Sequence, residues 1–256
     1  MRALVRRPGP ALADGLVTHQ ERVPLDTTLA VRQWEGYVDA LRSVGWDVVE
    51  VEPADDCPDA VFVEDAVVVF GDLAVVTRPG APERRGETAG AAQAAADLGI
   101  EIAHIVEPAT LDGGDVLKID ATAYVGVGGR TNAAAVVQLA ELLTPRGWSV
   151  VVVPVTKVLH LKSAVTALPD GTVVGYPAFV DDPSMFPSFL AVPEPSGSHV
   201  VLAGPNTLLM ADDAPESAAM FRDRGYEVIE VDISEFEKLE GCVTCLSVRD
   251  RRPTHG

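Results

Sequence analysis

The sequence predicts an α/β fold: a five-bladed α/β propeller, a ring of five ββαβ-type repeats around one axis. Three observations predict it. First, a helical stretch, a glycine and a β-rich run recur four times: ALRSVGWDVVEVEP (40–53), AADLGIEIAHIVEP (95–108), LTPRGWSVVVVPV (143–155) and MFRDRGYEVIEVDI (220–233). Second, a β-hairpin pattern recurs four times, ahead of or between these units. Third, the two ends of the chain, RALVRR (2–7) and CVTCLSVR (242–249), both read as strands that can pair and close the ring. On the repeats alone, an ordinary α/β sandwich with the same spacing stays open as the alternative.

Each element has a local reason. Residues 11–27 have weak periodicity and several turn formers, and they read as a flap, because long irregular loops in compact domains tend to carry function. Gly45, Gly99, Gly147 and Gly225 stand where a helix C-terminus favours a left-handed residue, and the Val/Ile alternation after each reads as a strand. The hairpins turn at Gly71-Asp72, near Asp120, at Asp170-Gly171 and at Gly204-Pro205, steps that favour tight turns. The interval from Gly147 to Gly225 holds two hairpins, so one repeat there lacks its glycine cap. The Pro-rich stretch 182–198 reads as a loop around a short helix. Together these make residues 1–256 a single domain.

Composition narrows the partners. The chain has 256 residues, 47% of them hydrophobic, enough for a sizeable core, and a formal net charge of -18. So acidic a surface repels phosphate backbones and anionic membranes, which argues against nucleic acid or a membrane as partner; it also favours a cationic ligand, although solubility alone accounts for such a charge in many proteins. The basic N-terminus lacks the apolar core of a signal peptide, and no apolar run reaches the roughly 20 residues that span a bilayer. Three cysteines are too few for a disulfide framework. A cytoplasmic protein, monomeric or homodimeric, is expected.

The chemistry-bearing residues are few. Cys242 and Cys245 form a C-x-x-C, but a redox pair opens a helix after a strand, whereas CVTCLSVR reads as a strand. A zinc site would need a second ligand pair at suitable spacing. An inert buried pair or a single catalytic thiol remain. An odd offset in a strand would turn the two thiols to opposite faces. A nucleophilic cysteine needs a base and an orienting acid near it in space. Among His19, His104, His160, His199 and His255, His160 stands just before a hairpin strand, where a side chain can be delivered to a central site. PDAVFVEDAVVV (58–69) reads as a β-run and places Asp59, Glu64 and Asp65 around an apolar core, where carboxylates are costly unless paired; a guanidinium, with its planar paired donors, suits them, and a strand end carrying solvated acids explains them equally well. LDGGDV (111–116) brackets two glycines with Asp112 and Asp115 and permits a close backbone approach, although a plain turn explains the same residues. Arg84 and Arg130 end two hairpins and suggest contacts to an anionic group such as a substrate carboxylate.

Taken together, FVED (62–65), TRPGAPERR (77–85), LDGGDVL (111–117), GRTN (129–132), HLKS (160–163) and TCLSV (244–248) resemble, in order, the motifs of the dimethylarginine dimethylaminohydrolase family of guanidino-group-modifying enzymes. The resemblance runs over about residues 1–250 and implies the pentein fold, the family's five-bladed propeller. It implies Cys245 as nucleophile, His160 as general acid/base and Asp112 as the acid that orients it, a position held by Glu in some members. It further implies that Asp59 and Asp65 line the guanidinium site, that Glu64, Arg84 and Arg130 hold the amino-acid end, that Leu16 belongs to the flap, with a loose alignment there, and that the backbone of Leu239 contacts substrate.

The implied activity is hydrolysis of Nω-methylated arginine to citrulline and a methylamine through a covalent Cys thiouronium intermediate. It requires no cofactor and no metal, since the small guanidino substrate is itself the electrophilic cation. The alternatives are an arginine deiminase-like hydrolase of another guanidino compound and a non-enzymatic propeller that binds a macromolecule. Arginine deiminases and amidinotransferases of this superfamily are longer, and a pure binding module predicts no Cys–His–acid set.

Overall fold

The computed structural model describes residues 1–252; His255 lies outside them. The chain begins with β1 (Arg2–Val5), α1 (Thr27–Ser43) and β2 (Asp47–Glu50). The next unit is β3 (Val67–Phe70), β4 (Leu73–Val76), α2 (Thr88–Asp97) and β5 (Glu101–His104). It is followed by β6 (Val116–Ile119), β7 (Thr122–Val127), α3 (Ala133–Leu143) and β8 (Ser149–Pro154). A one-turn helix, α4 (Leu161–Ala164), leads into β9 (Val165–Ala167), β10 (Val173–Gly175) and β11 (Phe189–Ala191). Then come β12 (Val201–Leu202), β13 (Thr207–Ala211), α5 (Pro215–Asp223), β14 (Glu227–Val231), a second short helix, α6 (Ser234–Glu237), and β15 (Val248–Asp250).

These strands form five three-stranded sheets, β15-β1-β2, β3-β4-β5, β6-β7-β8, β9-β10-β11 and β12-β13-β14. In each, the first and middle strands are antiparallel and the middle and last parallel. Connection length explains the pattern: tight hairpins join antiparallel neighbours, whereas a parallel neighbour needs a longer crossover. The first strand of each sheet faces the ring axis. Val67–Phe70 is accordingly buried at every position, while the outer strand Glu101–His104 exposes both its ends. The predicted five-bladed propeller is this architecture.

Local signals hold in detail. α1 buries Ala30, Trp34, Tyr37, Val38 and Leu41, one helical stripe, and the Asp26 side chain caps its start by accepting from the Leu29 N–H at 2.9 Å. Gly147 closes the turn after α3 with φ of 82°, a left-handed conformation that costs a residue with a Cβ. The β10–β11 crossover lacks an α-helix and uses a 3-10 turn at Pro183–Met185 instead; the prolines around it cannot donate to a helical ladder.

Three expectations are corrected. The C-terminal strand is not 242–249 but Val248–Asp250, pairing with β1 through Arg2↔Asp250 and Leu4↔Val248. Upstream, the Cys245 N–H bonds to the Cys242 carbonyl at 3.0 Å and the Cys245 carbonyl accepts from the Glu64 N–H. Backbone groups engaged in such a turn cannot join a ladder. The two thiols therefore do not face apart: their Sγ atoms are 3.4 Å from each other. Similarly, Val63–Asp65 is a 3-10 turn rather than part of strand β3.

Candidate active site

Four segments that precede first strands converge at one end of the axis: 59–65 before β3, 111–115 before β6, 159–160 before β9 and 239–245 before β15. With Leu16 of the flap, Arg84 and Arg130, the first, third and fourth enclose a pocket of about 20 Å³, lined by Asp59, Asp65, His160, Leu239 and Cys245 among others, while 111–115 lies behind His160. Room for little more than a water means that the flap must open to admit a ligand.

Asp112 is fixed from three sides. Its N–H bonds to Thr131 Oγ1 at 3.1 Å, and its Oδ1 accepts from the Gly80 N–H at 2.8 Å. Its Oδ2 meets His160 Nε2 at 3.0 Å. The approach is tight because position 114 is glycine: a Cβ there would lie 2.6 Å from His160 Nδ1 and 2.7 Å from Asp65 Oδ1. Asp115 accepts from the Leu161 N–H at 2.9 Å and so pins the start of α4, directly after His160. Burial pushes the Asp115 carboxyl up to about 6, against the opposing charge of His160.

Asp65 accepts from Arg84 Nη1 at 2.6 Å and from the Gly114 N–H at 2.8 Å. Burial alone would raise it, but the His160 and Arg84 charges outweigh burial and hold it well below the carboxylate range. His160 is the converse. Burial would lower it, but Asp65, the hydrogen bond to Asp112 and the charge of Asp115 push it up to about 9. The imidazole therefore carries its proton at neutral pH. Asp59 accepts the Leu16 N–H at 3.1 Å on both oxygens, tying the flap to the pocket; burial raises its carboxyl against the field of Arg84. Thr18 and His19 hold the flap's other side on Glu240.

Cys245 is buried. The hydrogen bond with Cys242 comes first in pushing its thiol up, then burial and the charges on Cys242, Glu64 and Asp65. The same S–H···S contact lowers Cys242. These contacts favour the protonated Cys245 thiol, and a cation beside it would reverse the balance.

Not every expected residue stands free in this pocket. Arg84 lines it, but its guanidinium is spent on Asp65, on both Glu87 oxygens at 3.0 and 2.8 Å, and on the Asp59 and Phe62 carbonyls. Glu64 is turned away. Its carboxylate pairs with Lys162 at 2.5 Å and Arg249 at 2.8 Å, facing the channel beyond the pocket floor, because the 3-10 turn sends adjacent side chains in opposite directions. Arg130 differs: its buried Nη1 has no hydrogen-bond partner among the described residues and lies 3.6 Å from Asp112. Asp65, Asp112 and His160 bring oxygen and nitrogen atoms within 4.8 Å of one another, as a metal site would. Arg84 and Arg130 already supply the positive charge those carboxylates face. Of the other histidines, His104 ends an outer strand exposed and His199 bonds the Ser163 carbonyl. The reading of the sequence missed Glu87 and Thr131; the Arg84-x-x-Glu87 spacing was the available signal for the first.

This constellation on this ring defines a class, that of guanidino-modifying hydrolases, and comparison with known proteins agrees. The sequence profile of the arginine deiminase family matches residues 54–201. The chain is 64% identical over 250 residues to the N(G),N(G)-dimethylarginine dimethylaminohydrolase of Streptomyces coelicolor, covering 98% of this chain and 97% of that one. It is 33% identical to the enzyme of the same name from Pseudomonas aeruginosa, covering 96% and 98%. A solved cysteine-to-serine variant of the Pseudomonas aeruginosa enzyme in complex with citrulline superposes with TM-score 0.91 at 32% identity, covering 97% of this chain and 98% of that one. A histidine-to-glycine dimethylarginine dimethylaminohydrolase in an adduct with S-methyl-L-thiocitrulline gives TM-score 0.91 at 31% identity, covering 97% and 99%. The chain belongs to the dimethylarginine dimethylaminohydrolase family, and it is a hydrolase.

Proposed function

We propose that the chain hydrolyses Nω-methylated arginine, both asymmetric dimethylarginine and monomethylarginine, to citrulline and a methylamine, with Cys245 as nucleophile. One observation carries the assignment of roles: a buried thiol shares a closed pocket with a histidine whose far nitrogen is hydrogen-bonded to a buried carboxylate. Asp59 and Asp65 receive the guanidinium. Arg130, with an unpaired buried donor, takes the substrate carboxylate. Leu16 closes the flap, and the Leu239 backbone flanks the bound ligand. Arg84 acts indirectly, by holding Asp65 ionised.

The cation lowers the Cys245 thiol, which gives up its proton and attacks the guanidinium carbon. His160 Nε2 is anchored on Asp112, which leaves Nδ1 for proton transfer. It protonates the departing nitrogen, so that the amine leaves neutral. A thiouronium on Cys245 remains. The now neutral His160 takes a proton from water, the hydroxide adds to the same carbon, and collapse expels the Cys245 thiolate and releases citrulline. Residues 1–256 act as one catalytic domain. Three free cysteines accord with a reducing cytosol, and among the described residues no helix is long and apolar enough to cross a membrane.

Citrulline release from arginine, monomethylarginine, and asymmetric and symmetric dimethylarginine tests the reading. Turnover of the first methylated pair is expected, with loss of about a thousandfold or more in Cys245→Ser. Turnover of arginine alone would make the chain a deiminase. No ureido product from any of the four would sink the mechanism.

A further inference from the structure

Beyond the pocket floor the ring axis opens into a second cavity of about 480 Å³, which shares no lining residue with the Cys245 pocket. Residues from the first strand of all five sheets contribute, so this is the axial channel itself. Its polar lining is one-sided. Lys118, Lys162, Arg249, Arg251 and Arg252 face it, against two carboxylates, Glu64 and Asp120, in a chain of net charge -18.

The carboxylates do not neutralise these cations. Glu64 is shared between Lys162 and Arg249, and Arg252 is held by Asp250. Lys118 and Arg251 form no ion pair among the described residues. Lys118 donates to the Val69 carbonyl at 2.5 Å and lies over the Phe70 ring, and Arg251 donates to the Leu202 carbonyl at 2.5 Å and stacks on Trp46. Both charged heads are thus preset by an aromatic face and one carbonyl, with donors left over. Lys118 and Arg251 both keep an exposed side toward the channel mouth; crowding of the Lys118 ammonium by protein, then by the neighbouring Lys162, Arg249 and Arg251, pushes it down, against Glu64. Burial and Arg249 push Arg251 down to about 10. Lys118 and Arg251, the two cations here without a counterion among the described residues, favour an anion between them.

We propose that this channel is a binding site for a small multivalent oxyanion of the phosphate or polycarboxylate type, held between Lys118 and Arg251. The cavity is of the size that takes small molecules. The acidic exterior does not forbid it: over more than about 8 Å that field is screened at physiological salt.

Calorimetric titration of the intact protein with inorganic phosphate and separately with citrate, against a chloride background of equal ionic strength, tests the site. One anion per chain is expected. Lys118→Met and Arg251→Gln should each weaken it about tenfold or more, as loss of a charged contact does, with citrulline formation left within about twofold. Lys118→Arg should restore uptake, which separates a lost site from a misfolded variant. Preference for phosphate over citrate, or the reverse, identifies which source of oxyanion the site takes. No uptake of either below about 10 mM, or equal uptake by wild type and by a folded Lys118→Met, overturns the proposal.

Discussion

His160 joins chemistry to stability. Its folded pKa of about 9 stands above the ordinary value of 6.5. Its contribution to stability is therefore fully present below about pH 6.5 and is lost as pH rises through about 9. Urea midpoints between pH 6 and 9.5 should fall with pH in the wild type and fall less steeply in His160→Asn. Parallel slopes would mean that the imidazole does not carry this charge. The thiol pair gives a second expectation. Cys242 lies against Cys245, so Cys242→Ser should retain turnover but shift the alkaline limb of its pH profile, because the S–H···S contact that raises Cys245 is gone. Abolished turnover in both single variants would favour a redox role for the pair. Neither the sharing of a proton by these thiols nor the rotation of Glu64 could be read from sequence. Both depend on Cys242–Ser247 and Val63–Asp65 being turns, and Val-rich flanks disguise those turns as strands.

At the scale of elements, local rules carried most of the reading. Alternating Val/Ile runs and two-residue turns placed the hairpins, since both depend on neighbours in sequence. Where long-range contacts decide, the sequence was silent. Nothing local in GGR announces that Arg130 keeps an unpaired buried donor, or in KLEG that Glu240 will clamp the flap. The glycines separate the two cases. Gly147 has a left-handed φ and open space around it, so Gly147→Ala should cost about 1 kcal/mol in unfolding free energy and leave kcat unchanged. Gly114 does not have a left-handed φ, but its Cβ would collide with His160 and Asp65. Gly114→Ala should therefore lower kcat about tenfold or more while the far-UV spectrum is kept. A fully active Gly114→Ala would show that the His160–Asp112 geometry tolerates displacement.

At the scale of the whole molecule, ring closure depends on the sheet β15-β1-β2, where strand pairing is reinforced by Arg2 on Asp250 at 2.7 Å. The repeat pattern anticipated this closure because both ends read as strands, though it overestimated the length of the last one. If the ring rather than the chain order holds the site together, the chain can be cut elsewhere. A circular permutant opened between Pro205 and Asn206, an exposed hairpin turn, with the original ends joined by a short flexible linker, should fold and release citrulline at a rate near that of the parent. A folded but inactive permutant would count against that view.

The same sheet acts as a latch. Cys245 is three residues from the strand that pairs with residues 2–4, so the place of its thiol hangs on one short seam. The other four sheets and the His160–Asp112 couple draw on no residue of that seam. Loosening it would displace the thiol while the rest of the ring stands.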